Sequence, residues 1–185
     1  MTRTAFVDRD GTLNLERGFV SRPEDLHVLP GVVGALHRLA GAGFRIVVVT
    51  NQSGIARGLY DERDLARVHE KLHAALHELP FAYLHCPHHP EGGHGYGGPC
   101  ACRKPAAGLL HQAREMLGVD FAGGVLIGDS ARDLLMARGL PLRTAYVHSG
   151  KPAAEELAAM TRAGFAPDFE ADDLASAVDL LLAAP

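Results

Sequence analysis

The sequence is short of cysteine and of long apolar runs, and both shortages limit the kind of protein it encodes. It contains three cysteines in 185 residues, an odd number that argues against a framework of disulfide bonds. No apolar stretch approaches the roughly 20 residues of a membrane-spanning helix. An acidic residue at Asp8 comes too early for the apolar core of a secretion signal. We therefore expect a cytoplasmic protein in a reducing compartment.

Positive charge is also scarce. Lysine and arginine number 18 against 22 acidic residues, for a net charge of -4, so we expect neither a nucleic-acid partner nor a membrane partner. Hydrophobic residues make up 47% of the chain, which is enough for one core at this length. We see no internal repeat and no long exposed apolar stripe. These properties predict a single domain, residues 1–185, that acts as a monomer.

Short apolar runs alternate with segments of helical periodicity. The predicted strands are residues 4–7, 45–50, 81–86, 123–129 and 143–148. The predicted helices are residues 31–43, 62–78, 106–117, 131–140, 153–163 and 172–183. This alternation is typical of an α/β fold with a mainly parallel sheet and helices on both faces. Ligands bind such sheets at the carboxyl ends of the strands, so the polar residues that end the strands are the first candidates for a site.

Carboxylates follow two of the predicted strands. Asp8 and Asp10 flank one residue after the first strand, Asp129 ends the fourth, and Asp133 follows one helical turn later. A simple polar turn would also place Asp beside Gly. However, two acids this close repel each other, and Mg²⁺, which prefers oxygen ligands, relieves that repulsion. We predict a magnesium site at Asp8, Asp10 and Asp129, with Asp133 orienting it.

A hydroxyl and a cation accompany these acids. Thr50 ends the second strand, where its hydroxyl could donate to a phosphate oxygen, and Lys104 precedes a helix, where it could neutralise a transferring phosphoryl group. Taken singly, each has an ordinary explanation: a strand-end threonine and a solvated lysine. In combination with the acids, they favour phosphoryl-transfer chemistry.

All three cysteines lie in one loop, residues 86–102, as Cys86-x-His88 and Cys100-x-Cys102. Thiolate and imidazole ligands suit tetrahedral Zn²⁺, and four protein ligands would make the metal structural rather than catalytic. The spacing is not the usual Cys-x-x-Cys, so buried free thiols or a disulfide between Cys100 and Cys102 stay open. Three further histidines compete with His88 for the fourth position: His85, His89 and His94.

The order of these residues resembles the four motifs of the haloacid dehalogenase superfamily. The matching segments are Asp-x-Asp-Gly-Thr at 8–12, Thr50, Lys104 and Gly-Asp-x-x-x-Asp at 128–133. The resemblance implies a Rossmann-like domain, and the spacings between motifs leave no room for a large cap domain. It also implies that Asp8 is the nucleophile and Asp10 the general acid and base. The carboxylates of Asp8 and Asp129 and the carbonyl oxygen of Asp10 would hold Mg²⁺.

A narrower resemblance is to the heptose 1,7-bisphosphate 7-phosphatase family. It rests on FVDRDGTLN at 6–14, VVVTNQSGIARG at 47–58, CPHHP at 86–90 and CACRKP at 100–105. Histidinol-phosphate phosphatases, the alternative, share the first motif and the cysteine loop, but their second motif reads more like Asn-Gln-Asp-Gly. The resemblance implies Mg²⁺-dependent removal of the 7-phosphate in nucleotide-activated heptose biosynthesis, for lipopolysaccharide or another glycoconjugate. It favours structural zinc with His88 as the histidine ligand and leaves the sugar anomer open.

The same resemblance implies a set of contacts to a sugar bisphosphate. These are Glu16, Arg17, Gly18, Phe19, Thr50, Asn51, Gln52, Ser53, Arg103, Lys104 and Ser130. Phe19 stands where a tyrosine is expected and Ser130 where a lysine is often found, and both departures bear on substrate preference. Arg103 has a planar fork suited to a phosphate that is not cleaved.

Two other classes of protein stay open. One is a binding protein that has the fold of a phosphatase and a loop stabilised by zinc but no enzymatic activity. The complete set of acidic, hydroxyl and lysine residues argues against it. A response regulator also uses a strand-end aspartate and a lysine, but it needs no second aspartate two residues further on.

Overall fold

In a computed structural model, which describes residues 3–184, six strands form one parallel sheet in the order β3-β2-β1-β4-β5-β6. The strands are β1 Arg3–Val7, β2 Phe44–Asn51, β3 Pro80–Cys86, β4 Gly124–Gly128, β5 Leu142–Val147 and β6 Phe169–Ala171. The central strand β1 pairs with β2 on one side and β4 on the other, so that Val7 aligns with both Val48 and Ile127. The strand order changes direction there, which is where a parallel sheet opens a crevice for a ligand.

Within residues 3–184, five helices connect the strands and a sixth follows β6. They are α1 Val32–Gly41, α2 Glu62–Ala75, α3 Gly108–Leu117, α4 Ala131–Leu134, α5 Ala153–Arg162 and α6 Leu174–Ala183, and two 3₁₀ turns cover Pro23–Asp25 and Leu135–Ala137. The carboxylate of Asp61 caps α2 by accepting bonds from the backbone N–H groups of Arg63 and Asp64, both at 2.8 Å. In turn, the carboxylate of Asp64 accepts a bond from the backbone N–H of Asp61 at 3.0 Å, which completes a capping box and defines where the helix begins. None of the helices in residues 3–184 is long and apolar enough to cross a membrane.

Two apolar layers cover the sheet because successive strand residues face opposite sides. Val7 and Val48 pack with α1, α2 and α6 on one side, whereas Phe6 and Val47 pack with α3, α4 and α5 on the other. Their side chains are fully buried, and each such burial contributes about 1.5–3 kcal/mol. This two-sided burial explains why the strands are continuous apolar runs in the sequence.

The predicted α/β class is confirmed, and two predicted elements need correction. The helix predicted for residues 131–140 is one α-helical turn followed by a 3₁₀ turn, since Gly139 takes a left-handed conformation (φ 76°) and Pro141 follows it. Strand β6 was not predicted, because its three residues carry a central glutamate and have no apolar run. The remaining strands and helices occur within a few residues of their predicted bounds.

Candidate active site

A cavity of about 470 Å³ opens at the carboxyl ends of β1 and β2 and beside the loop that follows β4. Most residues that the sequence assigned to the site line it: Asp8, Asp10, Glu16, Gly18, Phe19, Thr50, Asn51, Gln52, Ser53, Arg103, Lys104 and Ser130. Asp129 is completely buried and does not reach the cavity surface. Arg17 does not line the wall; it is exposed on the loop that carries its neighbours.

Lys104 joins two of the acids. Its Nζ donates to Oδ1 of Asp8 at 2.5 Å and to Oδ1 of Asp133 at 2.7 Å, and all three side chains are buried. Ser130 donates to the other oxygen of Asp133 at 2.5 Å, and the backbone N–H of Lys104 donates to Asn51 Oδ1 at 3.1 Å. Burial raises the pKa of Asp8 to about 7, with Asp133 adding to the rise and Lys104 opposing it. Lys104 is thus held as a cation beside Asp8.

The buried acids suit a divalent cation. Asp8, Asp129 and Asp133 offer carboxylate oxygens that lie within 4.8 Å of one another. Oδ1 of Asp129 is buried and has no hydrogen-bond partner among residues 3–184; it forms a longer ion pair with Nζ of Lys151, at 3.8 Å. This oxygen can therefore serve as a metal ligand. Burial, followed by the charges of Asp8 and Asp133, raises the pKa of Asp129 to about 8. A bound cation would remove this cost of ionising the group, so these residues fit Mg²⁺.

The carboxylate of Asp10 has a different set of hydrogen-bond partners from the carboxylates around Lys104. It accepts two bonds from Nη2 of Arg9, at 2.9 and 3.0 Å, two from Nε of Arg9, at 3.1 and 3.2 Å, and one each from Asn14 and Gln52, at 3.0 Å. Burial acts to raise its pKa, but Arg9 and these bonds outweigh burial and hold the pKa below its usual value. None of these partners is Asp8, Asp129 or Asp133, and Asp10 is not among the carboxylates of residues 3–184 that are grouped closely enough to hold a metal ion.

The hydroxyl of Thr50 has a defined direction. It accepts a hydrogen bond from Nε2 of Gln52 at 2.8 Å, while Tyr60 donates to the other end of the same amide at 2.6 Å. The amide is therefore fixed, and the proton of the Thr50 hydroxyl is left to donate into the cavity.

Cationic side chains line the outer part of the cavity. Arg57, Arg132 and Lys151, which sequence reasoning missed, join Arg103 there. None of the three arginines forms an ion pair with a carboxylate in the described chain. Partial burial and then the charge of Arg132 lower the pKa of Arg103, which shows that like charges lie close together. A cluster of unpaired guanidinium groups beside the acids is an anion-binding surface.

The missed residues come from separate segments of the chain. Arg57 stands in a quoted motif, NQSGIARG, and could have been found there, whereas Arg132 and Lys151 carry no signal in the sequence. Arg9, also missed, sits between the two aspartates of the first motif and is only 1% exposed.

The cysteine loop forms a compact cluster. Sγ of Cys86 lies 3.0 Å from Cys102 and 3.7 Å from Cys100, and Nδ1 of His88 lies 3.3 Å from Cys102 and 3.7 Å from Cys86. Ligands of a tetrahedral zinc ion lie about 3.5–3.8 Å apart. The two separations of 3.7 Å match that spacing and the other two are shorter; three thiols and one imidazole are a donor set that suits Zn²⁺. All three cysteines are free thiols, not disulfide partners. The competing histidines have other neighbours: His85 pairs with Glu62, His89 with Arg57, and His94 packs at Gly58.

Comparisons with known proteins agree with this geometry. Residues 101–177 match the family model of HAD-hydrolase-like proteins. The chain is 40% identical over 154 residues to the D-glycero-β-D-manno-heptose-1,7-bisphosphate 7-phosphatase of Haemophilus ducreyi, across 80% of this chain and 85% of that one. It is 37% identical over 156 residues to the protein of the same name from Escherichia coli K12, across 82% of each chain.

A solved structure is similar over nearly the whole chain. The D,D-heptose 1,7-bisphosphate phosphatase from B. bronchiseptica, complexed with magnesium and phosphate, gives a TM-score of 0.82 at 36% identity, over 97% of this chain and 98% of that one. The fold and the buried acids with their lysine define a hydrolase of the haloacid dehalogenase type. Within that class, the chain belongs to the family of D-glycero-D-manno-heptose 1,7-bisphosphate 7-phosphatases. The predicted family and the predicted class of enzyme, a phosphatase, are thereby confirmed.

Proposed function

We propose that this chain removes the 7-phosphate of D-glycero-β-D-manno-heptose 1,7-bisphosphate through an aspartyl phosphate on Asp8. The observation that carries the proposal is the pairing of buried Asp8 with Lys104, at 2.5 Å, in a cavity whose outer part holds unpaired arginines. This arrangement provides for one phosphate beside Asp8 and a second near the arginines. The names of the relatives support the sugar and its β anomer.

In the first step, ionised Asp8 attacks phosphorus and the bond to the 7-oxygen of the sugar breaks. Lys104 and the hydroxyl of Thr50 donate to the phosphate oxygens and offset the charge that develops on them. Mg²⁺, held by Asp8, Asp129 and the carbonyl oxygen of Asp10, would favour ionised Asp8 and screen it from the phosphate dianion.

Asp10 acts as the general acid in the first step and as the general base in the second. A phosphate dianion bound nearby raises the pKa of a carboxylate, which allows Asp10 to hold a proton against the opposing effect of Arg9. It gives that proton to the departing 7-oxygen. It then takes one from the water that hydrolyses the aspartyl phosphate, releasing inorganic phosphate and restoring Asp8.

Arg103 binds the phosphate that is not cleaved, and the loop at residues 86–102 orients the Arg103 side chain toward that phosphate. Its Nη1 donates to the carbonyl oxygen of His88, a residue of the cysteine cluster, at 3.1 Å. A structural zinc ion held by Cys86, His88, Cys100 and Cys102 would therefore fix the backbone on both sides of this contact. Glu16, Gly18 and Phe19 also line the cavity, and we assign them to the sugar.

The cellular setting that we propose is the cytoplasmic synthesis of nucleotide-activated heptose, for lipopolysaccharide or another glycoconjugate. The three clustered cysteines are free thiols, which supports a location in a reducing compartment. In such a compartment cysteines stay reduced and can bind zinc as thiolates.

A panel of phosphate esters tests the proposed function. Phosphate release is measured with Mg²⁺ and with chelator for the β and α anomers of the heptose 1,7-bisphosphate, heptose 7-phosphate, histidinol phosphate and a generic aryl phosphate. We expect the β bisphosphate to show the highest kcat/KM and to lose the 7-phosphate. A preference for histidinol phosphate would support the alternative family. Failure to release phosphate from any ester would indicate a binding module instead.

A further inference from the structure

A hydrogen-bonded network lies behind Asp10 and involves a half-buried histidine that the proposed chemistry does not use. Arg9 is only 1% exposed. Its Nε and Nη2 atoms hold both carboxylate oxygens of Asp10 at 2.9–3.2 Å. Its remaining nitrogen, Nη1, points the opposite way and lies 3.3 Å from Nε2 of His69 on α2. The guanidinium thus connects Asp10 to a helix on the far side of it.

His69 can only be the acceptor of this bond. A guanidinium group donates and never accepts, so Nε2 must carry the lone pair and the ring proton must sit on Nδ1. Burial lowers the pKa of His69 to about 3, and the nearby charges of Arg9 and His85 add to that effect. The imidazole is therefore neutral at the pH of the cell and stays available to Arg9.

The ring of His69 is held in place on its other side. It stacks on Tyr83 of β3 with ring centres 5.0 Å apart and an angle of 29° between the planes. Helix α2 is itself anchored through the buried side chains of Leu65, Val68 and Leu72. The position of His69 is consequently set by the sheet and by the helix, independently of the cavity.

A metal site is the competing explanation, because residues 69–73 read His-Glu-Lys-Leu-His. Two histidines at this spacing on a helix bind zinc in some hydrolases. Here Nε2 of His69 is used by Arg9, and Nδ1 of His73 lies 3.5 Å from the hydroxyl of Tyr83. The clusters in residues 3–184 that could hold a metal are the cysteine cluster and the buried acids, and neither includes His69.

We propose that His69 is a positioning residue of the phosphatase: it orients Arg9, and Arg9 in turn holds the Asp10 carboxylate at a fixed angle. The inference rests on the proposed role of Asp10 in proton transfer. Without an acceptor at position 69, Nη1 of a buried cation has no partner, and Arg9 shifts to find one. Such a shift disturbs proton transfer while Thr50, Lys104 and Arg103 still bind the substrate. The loss therefore falls on kcat rather than KM.

Two substitutions of similar size separate this role from simple packing. His69→Leu fills the space without an acceptor, whereas the amide oxygen of His69→Gln can accept the same bond. We expect His69→Leu to lower kcat about tenfold to a hundredfold, as loss of outer-shell partners does elsewhere, with little change in KM. We expect His69→Gln to restore most of kcat. His73→Leu, one turn further along α2 and without contact to Arg9, is the matched control and should retain the wild-type kcat.

Steady-state kinetics with the heptose bisphosphate and thermal unfolding of each variant provide the measurements. The proposal is overturned by a wild-type kcat in His69→Leu, by equal loss in the Leu and Gln variants, or by equal loss in His73→Leu. If His69→Leu does not fold, His69→Ala replaces it under the same criteria. An active Asp10→Asn variant would instead remove the role assigned to Asp10, which distinguishes failure of the proposed function from failure of the His69 inference.

Discussion

Asp8 and Asp10 are separated in the sequence by a single residue, yet they occupy different electrostatic surroundings. Asp8 lies beside Lys104 and near Asp133, and burial raises its pKa to about 7. Asp10 faces Arg9, which holds its pKa below the usual value. Environments that push the pKa values of two neighbouring acids apart are the physical basis for giving them different roles.

Substitution of either acid tests these roles. We expect Asp8→Asn and Asp10→Asn each to lower kcat by at least about a thousandfold, because one removes the nucleophile and the other the proton carrier. The fold should survive in both, as judged by circular dichroism. Asp172→Asn, an exposed change outside the cavity, is the control. Substantial activity in Asp8→Asn would show that another group attacks phosphorus.

Arg103 gives a prediction about substrate choice. The loss of a charge-assisted contact of about 1.5–3 kcal/mol should lower kcat/KM for the bisphosphate roughly tenfold to a hundredfold in Arg103→Ala. A small aryl phosphate, which cannot reach Arg103, should be affected much less. Arg162→Ala removes an exposed positive charge outside the cavity and serves as the control. An equal loss on both substrates would mean that Arg103 serves the reacting phosphate or the fold.

Among the structural elements, the loop at residues 86–102 depends most on something other than apolar packing. Cys86, Pro87 and Cys102 are its buried residues, and the rest is exposed or half-buried. A loop with so little apolar burial gains little from the hydrophobic effect. Metal binding supplies folding free energy in such segments, with apparent values of about 10–16 kcal/mol in small zinc peptides.

Metal analysis of the loop tests this view. We expect one zinc ion per chain after purification under reducing conditions, retained when Mg²⁺ is removed. Cys100→Ser should lower the zinc content and the Tm together, since the ligand set loses one thiolate. His94→Ala, in the same loop but outside the cysteine cluster, should change neither. A metal-free protein that is fully active and equally stable would contradict the proposed zinc site.

For the molecule as a whole, the distribution of exposed apolar side chains bears on assembly. The large ones are spread over five segments: Leu15 and Phe19 in the loop after β1, Leu59, Phe81, Met116, and Leu180 and Leu182 in α6. Stable homodimers usually bury a contiguous and more apolar surface. We therefore predict a monomer, measured as the mass of one chain by light scattering across a range of concentrations. A mass that rises toward two chains with concentration would contradict this prediction.

The sequence predicted the parallel sheet with helices on both faces, because apolar periodicity is a local property that can be read one segment at a time. It also placed Asp8, Thr50 and Asp129 at or just after strand ends, and parallel strands bring such ends to one edge. The cysteine spacing identified Cys86, Cys100 and Cys102 as one group, although it left the choice among the nearby histidines to the resemblance.

Which side chains face one another is set by the folded chain. It turned His88 toward the thiols, directed Lys104 to both Asp8 and Asp133, and brought Arg132 to the same cavity as Arg103. Arg9 meets His69 across 60 positions of sequence. The direction of a polar side chain depends on burial and on charges from distant segments, and no periodicity along the chain encodes either.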